Sequence, residues 1–276
     1  YFSSLTINSS GTKTAQSSLD INGNFTLTAG TFATGSNGID VAGNWDDSGN
    51  NGGFTPSAGT VTLSGSGTTV TAGTNNNFFN LTLSGGTKTA QTEIDINGDL
   101  TVSSGELATG SNNTDVASGK TVNIDGTLSI SSGTFTANGP TDIDGTLSIT
   151  STGVYDADGT FTAASGNITF SGAGFLNLSN TVTDLGTFTK STSTVTYDEA
   201  GAQSVDNVDY HHLVISGGAT KTLSGSTNVG GDLTVTATST VLAVGSNTID
   251  VNGTSTITTN GTVTVSTGTF DADGTM

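Results

Sequence analysis

The segment Leu19-Asp-Ile-Asn-Gly-Asn-Phe25 decides how this chain folds, because it returns with small changes along the whole sequence. Each copy joins two short apolar-alternating runs through Asn-Gly or a related pair, which tolerates the positive φ that a tight turn requires. Seven copies predict an array of similar units rather than a conventional globular domain. The other six copies begin at Ile39, Ile94, Val122, Thr141, Asn228 and Ile249.

Composition and net charge indicate which classes of protein this chain can belong to. The 276 residues include 40 Gly and 2 Pro, and only 32% of them are hydrophobic, which suits a narrow core better than a thick one. Val, Ile and Thr alternate throughout, so the chain is predicted to form slender β-structure rather than to be disordered. A net charge of −18 argues against nucleic-acid binding and against electrostatic attachment to anionic membranes.

Cysteine usage and hydropathy exclude two further classes of structure. The chain has no cysteine, so disulfides and zinc–thiolate sites are excluded. No apolar run approaches the ~20 residues that a membrane-spanning helix needs, so membrane insertion is not expected. The chain starts at Tyr1 without a visible signal peptide, and we interpret it as a mature or internal segment of a longer secreted precursor.

A longer repeat encloses the short one. Leu5, Leu81 and Leu213 occupy equivalent positions, each shortly before a Thr-Lys-Thr segment, and each unit continues with a Gly-Ser-Asn element. We therefore expect a single continuous solenoid over residues 1–276, with a truncated last unit. The predicted superrepeat units are 1–76, 77–208 and 209–276.

The short period predicts the fold class. Asp20 and Asp40 are 20 residues apart, as are Asp95 and Asp115, and each period holds three short strands with apolar residues at every second position. We predict an all-β, right-handed parallel β-solenoid (β-helix) of about 13–14 coils, with a rise of ~4.8 Å per coil and a length of roughly 65 Å. The alternative is a string of antiparallel β-sandwiches. Persistence of the period inside the long repeat favours the solenoid.

This pattern resembles the large repetitive parallel β-helix proteins of bacterial surfaces, which include adhesins, haemagglutinin-like proteins and autotransporter passengers. The resemblance rests on the Asn-Gly and Asp-Gly turns, the Phe-x-x-Leu-x-Ile starts and the Gly/Ser/Thr/Asn bias, and it covers essentially the whole chain. It implies secretion, an extracellular location at the cell surface, and a structural or adhesive role. It brings no catalytic residues to this chain.

Paired aspartates are the candidate metal ligands. Several precede or lie within glycine-rich turns, and Ca²⁺ prefers six to eight oxygen ligands. The alternative is that Asp favours turns and solvates the surface, and neither an EF-hand loop nor a Gly-Gly-x-Gly-x-Asp array is present. No cofactor other than this hypothetical calcium is expected. The candidate ligands are Asp46, Asp47, Asp156, Asp158, Asp271 and Asp273.

Catalysis is not expected. Polysaccharide hydrolysis needs a paired acid and carboxylate, and a lyase usually needs Arg or Lys as well, whereas this chain has no Arg and five Lys. His211 and His212 are adjacent, so on a strand they would point to opposite faces and could not easily share a metal ion. His212 occupies the position that Asn80 holds in the preceding long repeat.

Two expectations concern which side chains face water. In Thr12-Lys13-Thr14, the lysine is expected to face solvent and the threonines the interior. Most phenylalanines, Phe175 among them, are expected in the core, whereas Trp45 beside the acidic segment 44–53 is expected to be an exposed contact.

The functional expectation is an extracellular structural protein that forms a surface fibre, stalk or adhesin shaft. Its expected partner is another copy of itself, through head-to-tail or lateral assembly into filaments. Two alternatives stay open. One is an adhesive module that binds carbohydrate or another cell surface, and the other is a polysaccharide-degrading β-helix enzyme.

Overall fold

A computed structural model of the chain describes residues 1–50, 52–74 and 78–276. Those residues form β-strands joined by turns, and they divide into two compact units, Tyr1–Gly139 and Pro140–Met276. Across the described ranges no helix is long and apolar enough to cross a membrane.

Unit 1 contains seventeen of the described strands, most of them three or four residues long. They are β1 (Leu5–Thr14), β2 (Leu19–Ile21), β3 (Phe25–Gly35), β4 (Ile39–Val41), β5 (Trp45–Asp46), β6 (Phe54–Pro56), β7 (Thr60–Leu63), β8 (Thr68–Thr71), β9 (Asn80–Leu83), β10 (Thr87–Ala90), β11 (Ile94–Ile96), β12 (Leu100–Val102), β13 (Glu106–Gly110), β14 (Thr114–Val116), β15 (Val122–Ile124), β16 (Thr127–Ile130) and β17 (Thr134–Ala137).

Unit 2 contains the remaining described strands. They are β18 (Thr141–Ile143), β19 (Thr146–Ile149), β20 (Val154–Ala157), β21 (Phe161–Thr162), β22 (Asn167–Phe170), β23 (Phe175–Leu178), β24 (Val182–Asp184), β25 (Thr187–Thr189), β26 (Thr194–Tyr197), β27 (Gln203–Val205), β28 (His212–Ile215), β29 (Thr220–Leu223), β30 (Thr227–Val229), β31 (Leu233–Val235), β32 (Thr240–Gly245), β33 (Thr248–Val251), β34 (Ser255–Ile257), β35 (Gly261–Val265) and β36 (Thr269–Ala272).

Each strand pairs with its counterpart one coil away. In unit 1 the sheets run β1-β3-β5-β8-β10-β13-β16, with β6 also beside β3, then β2-β4-β7-β9-β12-β15, and β11-β14-β17. In unit 2 they run β18-β21-β24, β19-β22-β25, β20-β23-β26-β28-β31-β34, β27-β29-β32-β35 and β30-β33-β36.

The pairing is parallel throughout the described strands, which identifies a parallel β-solenoid of about 13 coils. Leu81 pairs with Leu100, and Leu213 pairs with Leu233, so partners are about 20 residues apart as predicted. The antiparallel sandwich alternative is therefore wrong. The single solenoid over residues 1–276, its handedness and the superrepeat boundaries stay predictions.

Alternation of side chains builds the core. Leu100 and Val102 point inward from β12, whereas Thr101 between them points outward. Stacking of the coils turns the inward positions into continuous apolar columns, which remove the narrow interior from water. One such column in unit 1 consists of Ile39, Val61, Leu81, Leu100 and Val122.

Outward positions on one face of unit 1 stack one polar residue on another. Thr62, Thr82, Thr101 and Asn123 follow one another in register there. Short polar side chains at strand spacing satisfy one another and the solvent without disturbing the ladder.

Candidate functional site

A ladder of polar side chains runs along the corners of the coils. Asn80 Oδ1 accepts a hydrogen bond from the backbone N–H of Asp99 at 2.9 Å, and Asp99 Oδ1 accepts one from the N–H of Thr121 at 2.9 Å. Each of these residues directly precedes the first inward-facing residue of its strand. Since a corner N–H has no partner within its own coil, the side chain of the coil before supplies the acceptor.

Lys88 and Lys221 of the Thr-Lys-Thr segments point inward, whereas Lys13, which was expected to face solvent, is half-buried. Lys88 is fully buried in β10, while Thr87 and Thr89 on either side are more exposed. Its ammonium group is enclosed by backbone carbonyls of the Ser-Gly-Gly turn that precedes the strand and of the coil before. The acceptors of Lys88 Nζ are the carbonyl oxygens of Gly65, Ser84 and Gly85.

Lys221 in unit 2 repeats this arrangement. It is fully buried, and its Nζ donates to the carbonyl oxygens of Glu199, Gly201 and Gly218 at 2.5, 2.9 and 2.7 Å. Burial lowers the pKa of both buried lysines, while Glu199 and Asp198 act in the opposite direction on Lys221. These carbonyl cages give the buried ammonium groups the hydrogen bonds that they lose from water.

One coil before Lys221, a neutral side chain donates to backbone carbonyls in the same way. Gln203 pairs with Lys221 in register, is buried, and donates through Nε2 to the carbonyl oxygens of Leu178 and Asn180 at 2.8 and 2.6 Å. The signal in the sequence is the Ser-Gly-Gly turn shortly before Lys88, because such a turn can direct several carbonyls toward one donor.

The Gly-Ser-Asn elements tie neighbouring coils together. The side-chain amides of Asn37, Asn112 and Asn247 donate to carbonyl oxygens of the coil before at 2.9, 3.0 and 3.0 Å. Their acceptors, which follow the Thr-Lys-Thr segments, are Ala15, Ala90 and Leu223. The long repeat is therefore a recurring pair of contacts, a lysine cage followed by an asparagine bridge.

The calcium candidates of unit 1 take part in local hydrogen bonds. Asp47 is buried, and its Oδ1 accepts hydrogen bonds from Trp45 Nε1 at 3.1 Å and from the N–H of Gly73 at 3.0 Å. Asp46 faces outward and caps the turn by accepting from Ser48 Oγ at 2.7 Å. Asn51 of the acidic segment 44–53 lies outside the described residues.

The calcium-ligand candidates of unit 2 are more exposed to solvent than Asp47 of unit 1. Burial raises the pKa of Asp156, and Asp158 and Asp198 reinforce the shift by charge repulsion, whereas a hydrogen bond from Asn177 opposes it. Asp271 pairs in register with Asp250 on the outer surface, and Asp273 is exposed. Within the described ranges, no three His, Cys, Asp or Glu side chains converge as a metal site would require. Calcium binding stays a prediction.

The two histidines are neighbours at the surface of unit 2. Their ring centroids are 4.3 Å apart, because His211 precedes β28 and does not follow the strand alternation that the sequence argument assumed. His212 Nδ1 accepts a hydrogen bond from the backbone N–H of Asp232 at 2.9 Å. His212 therefore has the role of Asn80 in the corner ladder.

The aromatic expectations are reversed at three positions, one of which is Phe2, exposed at 42%. Trp45 is fully buried and its ring stacks on Phe25 with centroids 4.3 Å apart, whereas Phe175 is 38% exposed. Both orientations have a signal in the sequence. Trp45 occupies the position of Phe25 in the repeated segment, and Leu176 and Leu178 are the alternating pair that fixes Phe175 outward.

Phe175 lies on an outward face rich in hydrogen-bonding groups. It pairs in register with Val154 and Thr194, and Thr194 pairs with His212. The neighbouring outward file consists of Asp156, Asn177, Thr196 and Val214. An exposed ring beside amide, hydroxyl and carboxylate groups is suited to a ligand that presents both C–H and O–H groups.

A cavity of about 530 Å³ opens in unit 1. Asp20 is the one acidic residue in its lining, so this cavity lacks the pair of carboxylates that glycoside hydrolysis requires. Its lining residues are Tyr1, Phe2, Ser17, Ser18, Leu19 and Asp20.

Comparisons with protein-family models, with curated proteins and with solved structures found no match to this chain.

Proposed function

We propose that this protein is an extracellular structural scaffold, such as the fibre, stalk or adhesin shaft of a cell surface. The observation that carries the proposal is the continuity of its parallel ladders, in which corner side chains and caged lysines satisfy backbone groups between successive coils. Force that separates coils in either unit must break several strand hydrogen bonds and an apolar column together.

Self-assembly is part of the proposal. Parallel strands can add to the open edge of a coil stack, and a contact between unlike surfaces propagates into a filament instead of closing. The outer faces also carry stacked carboxylates, such as Asp95 beside Asp115. Burial raises the pKa of Asp95, and repulsion by Glu93 and Asp115 raises it further. Lateral association should therefore be favoured by salt, which screens that repulsion.

Electron microscopy of the purified protein tests the scaffold and its assembly. We expect thin rods at low concentration and longer filaments or bundles as protein and salt concentrations rise. Particles that stay the same size from low to high concentration, in low and in high salt, would refute self-assembly. Compact particles without elongation would refute the structural role itself.

Carbohydrate binding is a second candidate, which the exposure of Phe175 favours. We propose that the face around Phe175 binds a neutral, extended polysaccharide, with the ring against the C–H face of a sugar and Asn177 and Thr196 near its hydroxyls. Asp156, Asp198 and the other carboxylates would repel a polyuronate. This surface would give a shaft an adhesive patch without any deep pocket.

Titration with cellohexaose tests this surface, with oligogalacturonate as the anionic comparison. We expect the wild type to bind only the neutral sugar, and Phe175→Ala to weaken binding by at least about fivefold, since ring contacts contribute about 1 kcal/mol. Thr169→Ala, on a different outward face, should bind like the wild type. Equal binding by the wild type and Phe175→Ala, or no binding by either, would rule out this site and leave the scaffold proposal intact.

Enzymatic degradation of polysaccharides is the less supported alternative. The cavity near Asp20 holds a single acid, and the buried lysines are enclosed by backbone carbonyls instead of facing a groove. New reducing ends or unsaturated products on incubation with polysaccharides would favour this alternative.

A further inference from the structure

One corner of unit 2 uses an imidazole where other corners use an amide or a carboxylate. His212 Nδ1 accepts the backbone N–H of Asp232 at 2.9 Å, and Asp232 Oδ1 accepts the N–H of Thr254 at 2.8 Å. In unit 1 the equivalent acceptors are Asn80 Oδ1 and Asp99 Oδ1. The geometry of the ladder is the same in both units, and the chemistry of the acceptor differs.

This difference matters because the acceptors respond differently to acid. An amide oxygen accepts a hydrogen bond at any physiological pH. A histidine nitrogen accepts one only while it carries no proton, so the bond to Asp232 requires the neutral ring with its proton on Nε2. Histidine is also the side chain that ordinarily changes charge between pH 5 and 8. A proton on Nδ1 would place two donors 2.9 Å apart.

We propose that His212 makes this corner an acid-sensitive joint between successive coils of unit 2. At neutral pH its ring accepts the hydrogen bond from the backbone N–H of Asp232, where the next coil begins. On protonation the ring releases that N–H and its Nδ1–H turns to the Asp232 carboxylate, so the joint has two discrete arrangements.

The charged groups around the ring fit this exchange. Asp232 Oδ2 is 3.5 Å from His212 Nδ1, and Oδ1 of the same carboxylate is engaged by Thr254, which leaves Oδ2 as the acceptor for a protonated ring. Lys190 Nζ is 4.0 Å from Asp209 Oδ2. Burial, His212 and Lys190 lower the pKa of His211, so this neighbour resists taking up the proton, while Asp232 opposes the shift.

Gly231 lies directly against one edge of the His212 ring. A Cβ atom on Gly231 would lie 2.8 Å from His212 Cε1, so the glycine provides the space in which the ring sits. The backbone N–H of Gly231 is itself bound to the His211 carbonyl at 2.7 Å. The joint can therefore open at the Asp232 N–H while the strand pair β28–β31 on one side of it persists, because that pairing uses other backbone groups.

Amide hydrogen exchange measured by NMR on the full chain tests the proposal. The exchange rates are first corrected for the intrinsic effect of pH. When the pH is lowered from about 7.5 to about 5, we expect the protection factor of the Asp232 amide to fall about tenfold relative to that of the Thr254 amide. A change of this size corresponds to the loss of one hydrogen bond. His212→Asn, which restores the acceptor that Asn80 provides, should abolish this dependence. His211→Asn should retain it.

A second measurement keeps the proposal testable if His212→Asn fails to fold. The ¹⁵N chemical shifts of the imidazole report its tautomer, and we expect His212 to carry its proton on Nε2 at pH 7.5. A proton on Nδ1 at that pH, or an Asp232 amide whose protection relative to Thr254 does not change with pH, would overturn the inference. So would the same pH profile in His212→Asn. The inference does not depend on the scaffold proposal, because it concerns one joint within unit 2.

Discussion

Replacing Trp45 by alanine is expected to lower the free energy of unfolding of unit 1 by about 3–5 kcal/mol, the usual cost of removing a large buried aromatic side chain. The indole is fully buried among aromatic rings, with centroid distances of 4.3 Å to Phe25, 4.8 Å to Phe54 and 5.2 Å to Phe78. Its Nε1 also donates to Asp47 Oδ1 at 3.1 Å. Truncation therefore opens a cavity and removes one donor from a buried carboxylate.

Chemical denaturation followed by far-ultraviolet circular dichroism measures this effect, since the substitution removes the single tryptophan that fluorescence would use. Phe175→Ala is the matched aromatic control, and we expect it to cost under about 1 kcal/mol because its ring is already partly in water. Equal losses for the two variants would contradict the assignment of Trp45 to the core.

Replacing Lys88 by methionine is expected to destabilise unit 1 by about 2–4 kcal/mol. The apolar side chain itself should fit, because Lys88 pairs in register with Leu107 in the next coil. The cost arises from the carbonyl oxygens of the cage, which lose a charged donor at a fully buried site. Their unmet hydrogen bonds should loosen the Ser84-Gly-Gly turn first.

Two further variants distinguish the effect of breaking the carbonyl cage from the effect of removing a positive charge. Lys88→Gln should recover part of the stability, because Gln203 already serves two carbonyls from an equivalent inward position. Lys120→Met should change stability by no more than about 0.5 kcal/mol, since Lys120 lies at the surface with its Nζ 5.8 Å from the Phe79 ring centroid. Unfolding midpoints in urea provide the comparison. If Lys88→Met and Lys120→Met behave alike, the cage contributes nothing to stability.

Much of the architecture was predictable because it depends on local patterns. Apolar residues at every second position and Asn-Gly turns at a spacing of about 20 residues specify strands, corners and coil length before any long-range contact is known. The equivalence of His212 and Asn80 also follows from the repeat alone. The corner hydrogen bonds at both positions support that alignment.

The orientation of particular side chains was harder to predict, because it depends on which residues of a strand occupy its inward-facing positions. A shift of one residue along a strand moves a side chain from the surface to the core. In β10 the inward positions are Lys88 and Ala90, so charge alone would give the wrong face for this lysine. For Trp45 the acidic neighbours suggested solvent, whereas its repeat position placed it on the buried column.

Short strands, tight corners and parallel stacking of successive coils all follow from the repeated amino-acid pattern. Which polar groups lie inside does not follow from it, because that depends on carbonyls brought together from different coils. The cage around Lys88 needs Gly65 from one coil and Ser84 and Gly85 from the next, and residues about 20 apart meet there only after stacking. Burial of a charge is favourable only where such acceptors converge, and their convergence is a property of the folded array.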